Sequence, residues 1–363
     1  MTDKNPLPVT MVATTDFSDL MNPVPGRRQP MKGFDPEFVD IADYIVRITS
    51  WIWDDKNVDL CKRYYSDDGI IHTLAGKISG VETVVANTWK TLEGWPDRTL
   101  DADNVVWSGN EAEGYYSSHL ITSQMTNTGP SEFGPATGKK ARVRTVADCL
   151  CLENKVIEEW LMRDNLSLVK QMGLDGNAIA LAQAEEDFAT GSNLHGMHQA
   201  LADQTMATET STHAVPDNPE KEAESFAQAY VSQLWNQHKL EKLADFYDYR
   251  VGFEGPSGRN LYGVGDVERY FQSFTEMMPD LKVTVDHVAD VPYLGDARDI
   301  AVRWSLAGTH TSEGTYGAPT GKTLYIMGSS HWRIINGRIR NEWTVFDELA
   351  VLRQVHRNRM LSK

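Results

Sequence analysis

Two carboxylates stand at one fixed distance behind a tryptophan. Asp164 lies four residues after Trp160, and Asp347 four after Trp343. Each belongs to the same longer pattern, Glu159-Trp160, Asp164, Leu166, Gln171 in one copy and Glu342-Trp343, Asp347, Leu349, Gln354 in the other. A charged carboxylate carried by a strand into an apolar interior is costly unless it finds partners or its pKa rises. With a pKa near neutrality it can take and return protons, the chemistry of a general acid or base. Asp is also a favoured helix N-cap, and both residues precede helical patterns, Leu349/Leu352 and Leu166/Val169. The two readings are compatible, since a cap can sit at a pocket rim.

The strand from Arg338 to Asp347 gives these residues neighbours. By alternation Ile339, Asn341, Trp343, Val345 and Asp347 share one face, as do Val156, Glu158, Trp160, Met162 and Asp164. Both rows are mostly apolar, so they are expected to face the core. His331 precedes the Asn336-Gly337 turn. A two-residue turn pairs His331 with Glu342 and turns it outward; a three-residue loop with a Gly bulge pairs it with Asn341 and adds it to the Trp343 face. Both registers stay open. Asp148 takes this place in the first copy, and beside Asp164 it would push one of the two toward its protonated form. Glu254 and His72 correspond on the segment after the second helix, as pocket candidates or exposed loop residues. His310 answers to Asn127 at a strand end, where a hairpin contact is expected. Trp304, Trp160 and Trp343 belong to core or to a pocket wall suited to a flat organic ligand.

The elements that position these residues come in duplicate. At an offset of 183, Gly80 meets Gly263, Pro96-Asp97 meets Pro279-Asp280, Thr137-Gly138-Lys139 meets Thr320-Gly321-Lys322, and Glu159-Trp160 meets Glu342-Trp343. Upstream the offset is 182, as from Trp53 to Trp235, so one residue is inserted near Gly258. Self-similarity on this scale is the mark of a duplicated domain. Each half reads helices first and strands after: Phe38 to Ile52, Leu60 and Tyr64, and Val81 to Leu92 recur at helical spacing, then four β-rich runs end at Met162. That order gives an α+β domain with helices packed on one face of an antiparallel sheet. The expected divisions are an extended Pro-rich arm at 1–35, a first domain at 36–172, a linker with a helix at 173–221 and a second domain at 222–363.

A net charge of −16 argues against nucleic acid or an anionic membrane surface as partner. No run of 18 apolar residues occurs and the first residues lack a signal-peptide pattern. With three cysteines and no CxxC pair, a reducing, cytoplasmic setting is expected. His195 and His198 lack companion carboxylates, so no metal is expected. Neither GxSxG, Walker nor GxGxxG contexts occur, so no cofactor is expected.

The run from Ala307 to Val355, with Gly308-Thr309-His310, Pro319-Thr320-Gly321-Lys322, Asn336-Gly337-Arg338-Ile339 and Glu342-Trp343…Asp347, resembles the closing half of a SnoaL-like polyketide cyclase domain. That family belongs to the nuclear-transport-factor-2-like superfamily. The resemblance covers roughly 36–172 and 222–357. It implies tandem cone-shaped domains, each with three helices on a curved antiparallel or mixed sheet enclosing a pocket. It also implies cofactor-free acid/base chemistry, as in aldol ring closure, on an organic substrate bearing a carbonyl, ester or epoxide. Asp347 takes the acid/base place, with His331 as polar neighbour, and Asp164 is its counterpart. Domains of this superfamily pair through their sheets, so the tandem is expected to form an intramolecular pseudo-dimer, with the arm offering a route to a homodimer. The alternative is a non-catalytic binding or scaffold protein.

Overall fold

The computed structural model describes residues 26–209 and 211–362; of the expected arm, residues 1–25 lie outside them. Helix α1 (Ile41–Trp53) starts at Asp40, whose carboxylate accepts the amide of Asp43 at 2.8 Å. Its Ile41, Tyr44, Ile45, Ile48 and Ile52 form one buried stripe, as the spacing predicts. Phe34 and Phe38 pack against Tyr44, so the end of the expected arm belongs to this core. After α2 (Leu60–Tyr64) come β1 (Tyr65–Thr73) and β2 (Gly76–Ser79), then α3 (Val81–Gly94) and the strands β3 (Thr99–Asn110), β4 (Gly114–Thr126), β5 (Lys140–Leu152) and β6 (Lys155–Arg163). Strand β1 is not evident in the sequence. Its first half, Tyr65-Ser66-Asp67-Asp68-Gly69, carries turn formers, and the structure places a register shift there, between Tyr65 and Ile70.

Two linker helices follow the short α4 (Asn165–Gln171): α5 (Gly176–Thr190) and α6 (Leu194–Ala207), one more than expected. The second domain repeats the first: α7 (Ala223–Tyr230) running into a π-turn, α8 (Leu243–Phe246), β7 (Tyr247–Gly255), β8 (Arg259–Tyr262), α9 (Val264–Met277), β9 (Lys282–Pro292), β10 (Arg298–Thr309), β11 (Thr323–Ile335), β12 (Arg338–Phe346) and α10 (Glu348–Leu361). The six-stranded sheets have orders β2-β1-β6-β5-β4-β3 and β8-β7-β12-β11-β10-β9. Each is mixed, because β1 runs parallel to β6 and β7 parallel to β12. Among the described residues no helix is long and apolar enough to cross a membrane.

The two sheets meet through their outer faces. Asn104 donates to Asp299 at 2.9 Å, Arg303 donates to the Tyr116 hydroxyl at 2.9 Å, and Ser118 bonds His331 Nε2 at 2.8 Å. Val106 packs with Ala289 and Ala301 across the same seam. Helix α6 joins this layer: His198 Nε2 donates to the Leu74 carbonyl at 2.8 Å, and Arg357 donates to His198 Nδ1 at 3.1 Å. Helix α5 is held by Asp187, which accepts from Arg353 at 2.6 and 2.8 Å and from Arg357 at 3.2 Å. The central strands β4 and β11 are therefore buried on both faces, the inner one within their own cone and the outer one by the other domain.

The β11–β12 hairpin resolves the open register. Asn336 and Gly337 have φ of 53° and 75°, a two-residue turn of the mirror-image type, and Ile335 pairs with Arg338. A bulge then intervenes, with Ile334 opposite Ile339 but Arg333 opposite Asn341, so Arg340 is the extra residue. His331 pairs with Trp343, a register neither alternative gave. The first domain does the same, with the turn at Glu153-Asn154 and Ile157 as the extra residue.

Candidate active site

The bulge inverts the expected alternation. Ile339 faces inward, but beyond Arg340 it is Glu342, Thr344 and Phe346 that line the interior of the second cone. Asn341, Trp343 and Val345 border the space between the domains. In the first domain Glu159, Leu161 and Arg163 line the cone interior, and Trp160 faces the other domain, where the Arg303 guanidinium lies 3.5 Å from its ring. Trp160 and Trp343 are hence not pocket walls of the cones. Their apolar character answers to the domain seam, which alternation alone could not distinguish from the core.

Several other candidates fall on the same seam. His331 is buried between the sheets, bonded to Ser118. Burial holds it neutral, its pKa pushed down to about 3. Asp148 accepts from Tyr116 and Ser118 on that face, and burial raises its carboxyl. His72 stacks on Trp160 and bonds Glu158 at 2.7 Å. Glu254 accepts from Trp343 Nε1 at 3.1 Å and pairs with Arg144 of the first domain at 2.8 Å. His310 is fully buried beside a turn where its carbonyl accepts the amides of Thr320 and Gly321, and it lines neither cone. Asp164 and Asp347 are N-caps of α4 and α10. Asp164 also accepts the Ser257 amide of the other domain at 2.8 Å, and burial lifts it to about 6. Trp304 does face its own cone, donating to Ser330 at 3.1 Å.

The two cones differ in what they hold. The first encloses a cavity of about 360 Å³, within the range of small-molecule sites. The second has room for about 20 Å³, roughly one water. The repeat explains the difference position by position. Ile71, Asn87, Thr91, Ile121, Cys149 and Arg163 of the first cavity correspond to Phe253, Tyr270, Phe274, Trp304, Trp332 and Phe346 of the second. Aromatic side chains fill the second cone solidly.

Both cones keep one buried glutamate bonded by a tyrosine hydroxyl. In the first, Glu159 is 4% exposed and accepts the Tyr65 hydroxyl at 3.0 Å. Burial raises its pKa, opposed by the Tyr65 bond and by the charge of Arg163. In the second, Glu342 accepts from Tyr247 at 2.6 Å and Thr344 at 2.7 Å, and burial pushes it up to about 7. Around Glu159 the first cavity also offers hydrogen-bonding groups with no protein partner: both ring nitrogens of His119, Thr145 Oγ1, Trp95 Nε1, and the Nε atoms of Arg98 and Arg163. Burial keeps His119 neutral, pushed down to about 3. Adjacent strands lie about 4.8 Å apart and alternate residues about 6.7 Å along a strand. On β4, β5 and β6 that puts the Glu159 and His119 backbones about 12 Å from one another, with the cavity between. Buried polar groups normally bond protein or water, so this cavity can hold water or a polar guest.

Asp347 reaches the same cavity from the other domain, beside Asn165. Its carboxylate accepts Asn165 Nδ2 at 2.6 Å and the amides of Leu349 and Ala350 at 3.0 and 3.2 Å; burial raises it to about 7. It caps its helix and borders a cavity at once, though the cavity is the neighbour's. Glu159, His119, Arg98 and Arg163 were missed by sequence reasoning. The available signal was the comparison of the halves: at the shared offset, Glu159 stays Glu342, while Arg98, His119 and Arg163 become Leu281, Val302 and Phe346. Among the described residues no three His, Cys, Asp or Glu side chains converge as metal ligands.

Comparison with known proteins bears on both domains. The sequence model of the SnoaL-like polyketide cyclases matches residues 44–172 and 224–355. A SnoaL-like polyketide cyclase from Agrobacterium tumefaciens is 21% identical, with 36% of this chain and 96% of that one covered and a TM-score of 0.30. TsrD from Streptomyces laurentii is 18% identical over 38% of this chain and 98% of that one, with a TM-score of 0.33. No curated protein matches.

Proposed function

Because the chain belongs to the SnoaL-like polyketide cyclase family, we propose that it is a cyclase-type enzyme whose acid/base group is Glu159 in the first cavity. The observation that supports this most is a buried carboxyl with a raised pKa, held by Tyr65 inside about 360 Å³ of space among unpartnered donors. Tuning of a Glu by burial is what acid/base work near neutral pH requires. The substrate is a small or medium organic molecule with a carbonyl group, and the residues involved need no cofactor.

In this reading ionised Glu159 removes a proton from a carbon next to a carbonyl. The electrons pass to the carbonyl oxygen, which accepts a hydrogen bond from the N–H of neutral His119. The enolate carbon attacks a second carbonyl of the same molecule and closes a ring. Protonated Glu159 then returns its proton to the new alkoxide, leaving the residue as it began. Asp347, at the border of the same cavity, is the second titrating acid available to a bound molecule.

The filled second cone favours a structural role for the second domain. The tandem then acts as a dimer folded into one chain, in which one half reacts and the other completes the seam and lends Asp347. The test incubates acyclic diketide and triketide esters with the protein in deuterium oxide and follows deuteration and ring closure by NMR. Glu159→Gln should lower the rate about a hundredfold or more, and Glu342→Gln should leave it unchanged. A Glu159→Gln protein as active as the parent would remove Glu159 from the chemistry.

A further inference from the structure

Two arginines in the first cavity make no contact ion pair among the described residues. Arg98 is 5% exposed, lies 4.2 Å from the Trp53 ring, and donates one bond, to Ser123 Oγ at 3.1 Å. Arg163 projects from β6 into the same cavity. The Nε atoms of both are buried without partners, and neither takes part in any ion pair among the described residues. Burial and the nearby charge of Arg163 push Arg98 down to about 9, so it remains a cation at neutral pH. The nearby charge of Asp54 favours the cation, but its carboxylate bonds the Leu100 amide and the Ser50 hydroxyl, both at 2.9 Å, rather than the guanidinium. A buried cation and a half-buried one thus face each other across the cavity with no carboxylate in contact, and an anionic guest between them would relieve their repulsion.

The fold does not require them. In the second domain the same two positions are Leu281 and Phe346, 2% and 1% exposed in a well-filled interior. The arginines thus coincide with the open cavity and vanish where the cavity is filled. Trp95 Nε1 and Thr145 Oγ1, also unpartnered, line the same cavity, and in the second domain they become Met278 and Gly328. Two guanidinium groups and two neutral donors thus share one cavity.

We infer that the substrate of the first cavity carries a carboxylate, which Arg98 and Arg163 anchor while Glu159 addresses a carbon next to a carbonyl deeper inside. The inference rests on the acid/base reading of Glu159 and adds the substrate class, a keto acid. Glu159 and Arg163 are four residues apart on one strand, about 13 Å between backbones. The Arg side chain spans part of that distance. A carboxylate held there leaves the reactive carbon a few bonds away.

The test uses benzoylbutyrate, its methyl ester and the phosphonate of the same length, with binding to the full chain measured by calorimetry and α-deuteration by NMR. A charge-assisted contact in a buried site should make the acid bind about tenfold or more tightly than the ester. Arg98→Leu, which installs the second domain's residue, and Arg163→Met should each erase that preference, and Arg163→Lys should retain part of it. If Arg98→Leu fails to fold, the Arg163 pair decides. Equal affinity for acid and ester, or a preference that survives in Arg163→Met, overturns the inference. Tighter binding of the phosphonate than of the acid overturns the carboxylate assignment in favour of a phosphoryl group. Arginine-dependent binding without Glu159-dependent deuteration would leave the anchor standing and defeat the acid/base reading; deuteration without carboxylate preference would do the reverse.

Discussion

Glu342 offers the most quantitative check on the picture of two cones with different occupants. It is 2% exposed in a filled interior, with Tyr247 and Thr344 donating to its oxygens. Burial outweighs those bonds and lifts its pKa from an ordinary 4.5 to about 7. A folded-state pKa above the unfolded one means that the folded protein prefers the neutral acid. Its contribution is fully present below about pH 4.5 and is lost as the pH rises through about 7. At 1.36 kcal/mol for each pH unit of displacement, the parent should lose about 3 kcal/mol from this group between about pH 5 and pH 8.5. Glu342→Gln keeps an acceptor for Tyr247 and offers an amide N–H to Thr344, so it should match the parent within about 1 kcal/mol at the lower pH. At the higher pH it should be the more stable protein. Urea denaturation of both proteins at the two pH values isolates the group, since Asp164 and Asp347 titrate in both. Parallel pH dependences for parent and variant would refute the argument that this carboxyl is held in a dry cone.

Two further outcomes probe the seam and the caps. Asp299→Ala leaves Arg333 buried without its bidentate partner, now bonded at 2.8 Å through two nitrogens, and removes the acceptor of Asn104 in the other domain; it should cost about 3–5 kcal/mol in chemical denaturation. At Asp347, Asn should preserve the cap while Ala loses about 1 kcal/mol, and a drop beyond about 3 kcal/mol for Asn would show that Asp347 does more than cap.

Much of the scaffold is legible in the residues. The offset of 183 exposes the duplication, and helical spacing from Ile41 to Ile52 and from Val81 to Leu92 places α1 and α3. The last β-rich run of the first half, ending at Met162, and the strand from Arg338 to Asp347 end within a residue of β6 and β12. The site was much less legible. Alternation along β12 runs correctly to Ile339 and then fails, because Arg340 is extra and every later residue changes face. Nothing in Arg338-Ile339-Arg340-Asn341 announces a bulge.

The chain by itself determined a duplicated helix-then-strand unit and the spacing of its acidic residues, since periodicity and repetition are local properties that survive without knowledge of contacts. Only the tertiary structure decided which carboxyl lies inside a cone. A sheet buried on both faces presents apolar residues to each, so hydrophobicity alone cannot tell the interior from the seam. The same assembly brings Asp347 of one domain to the cavity of the other, a juxtaposition of residues too distant in sequence for any local pattern to encode.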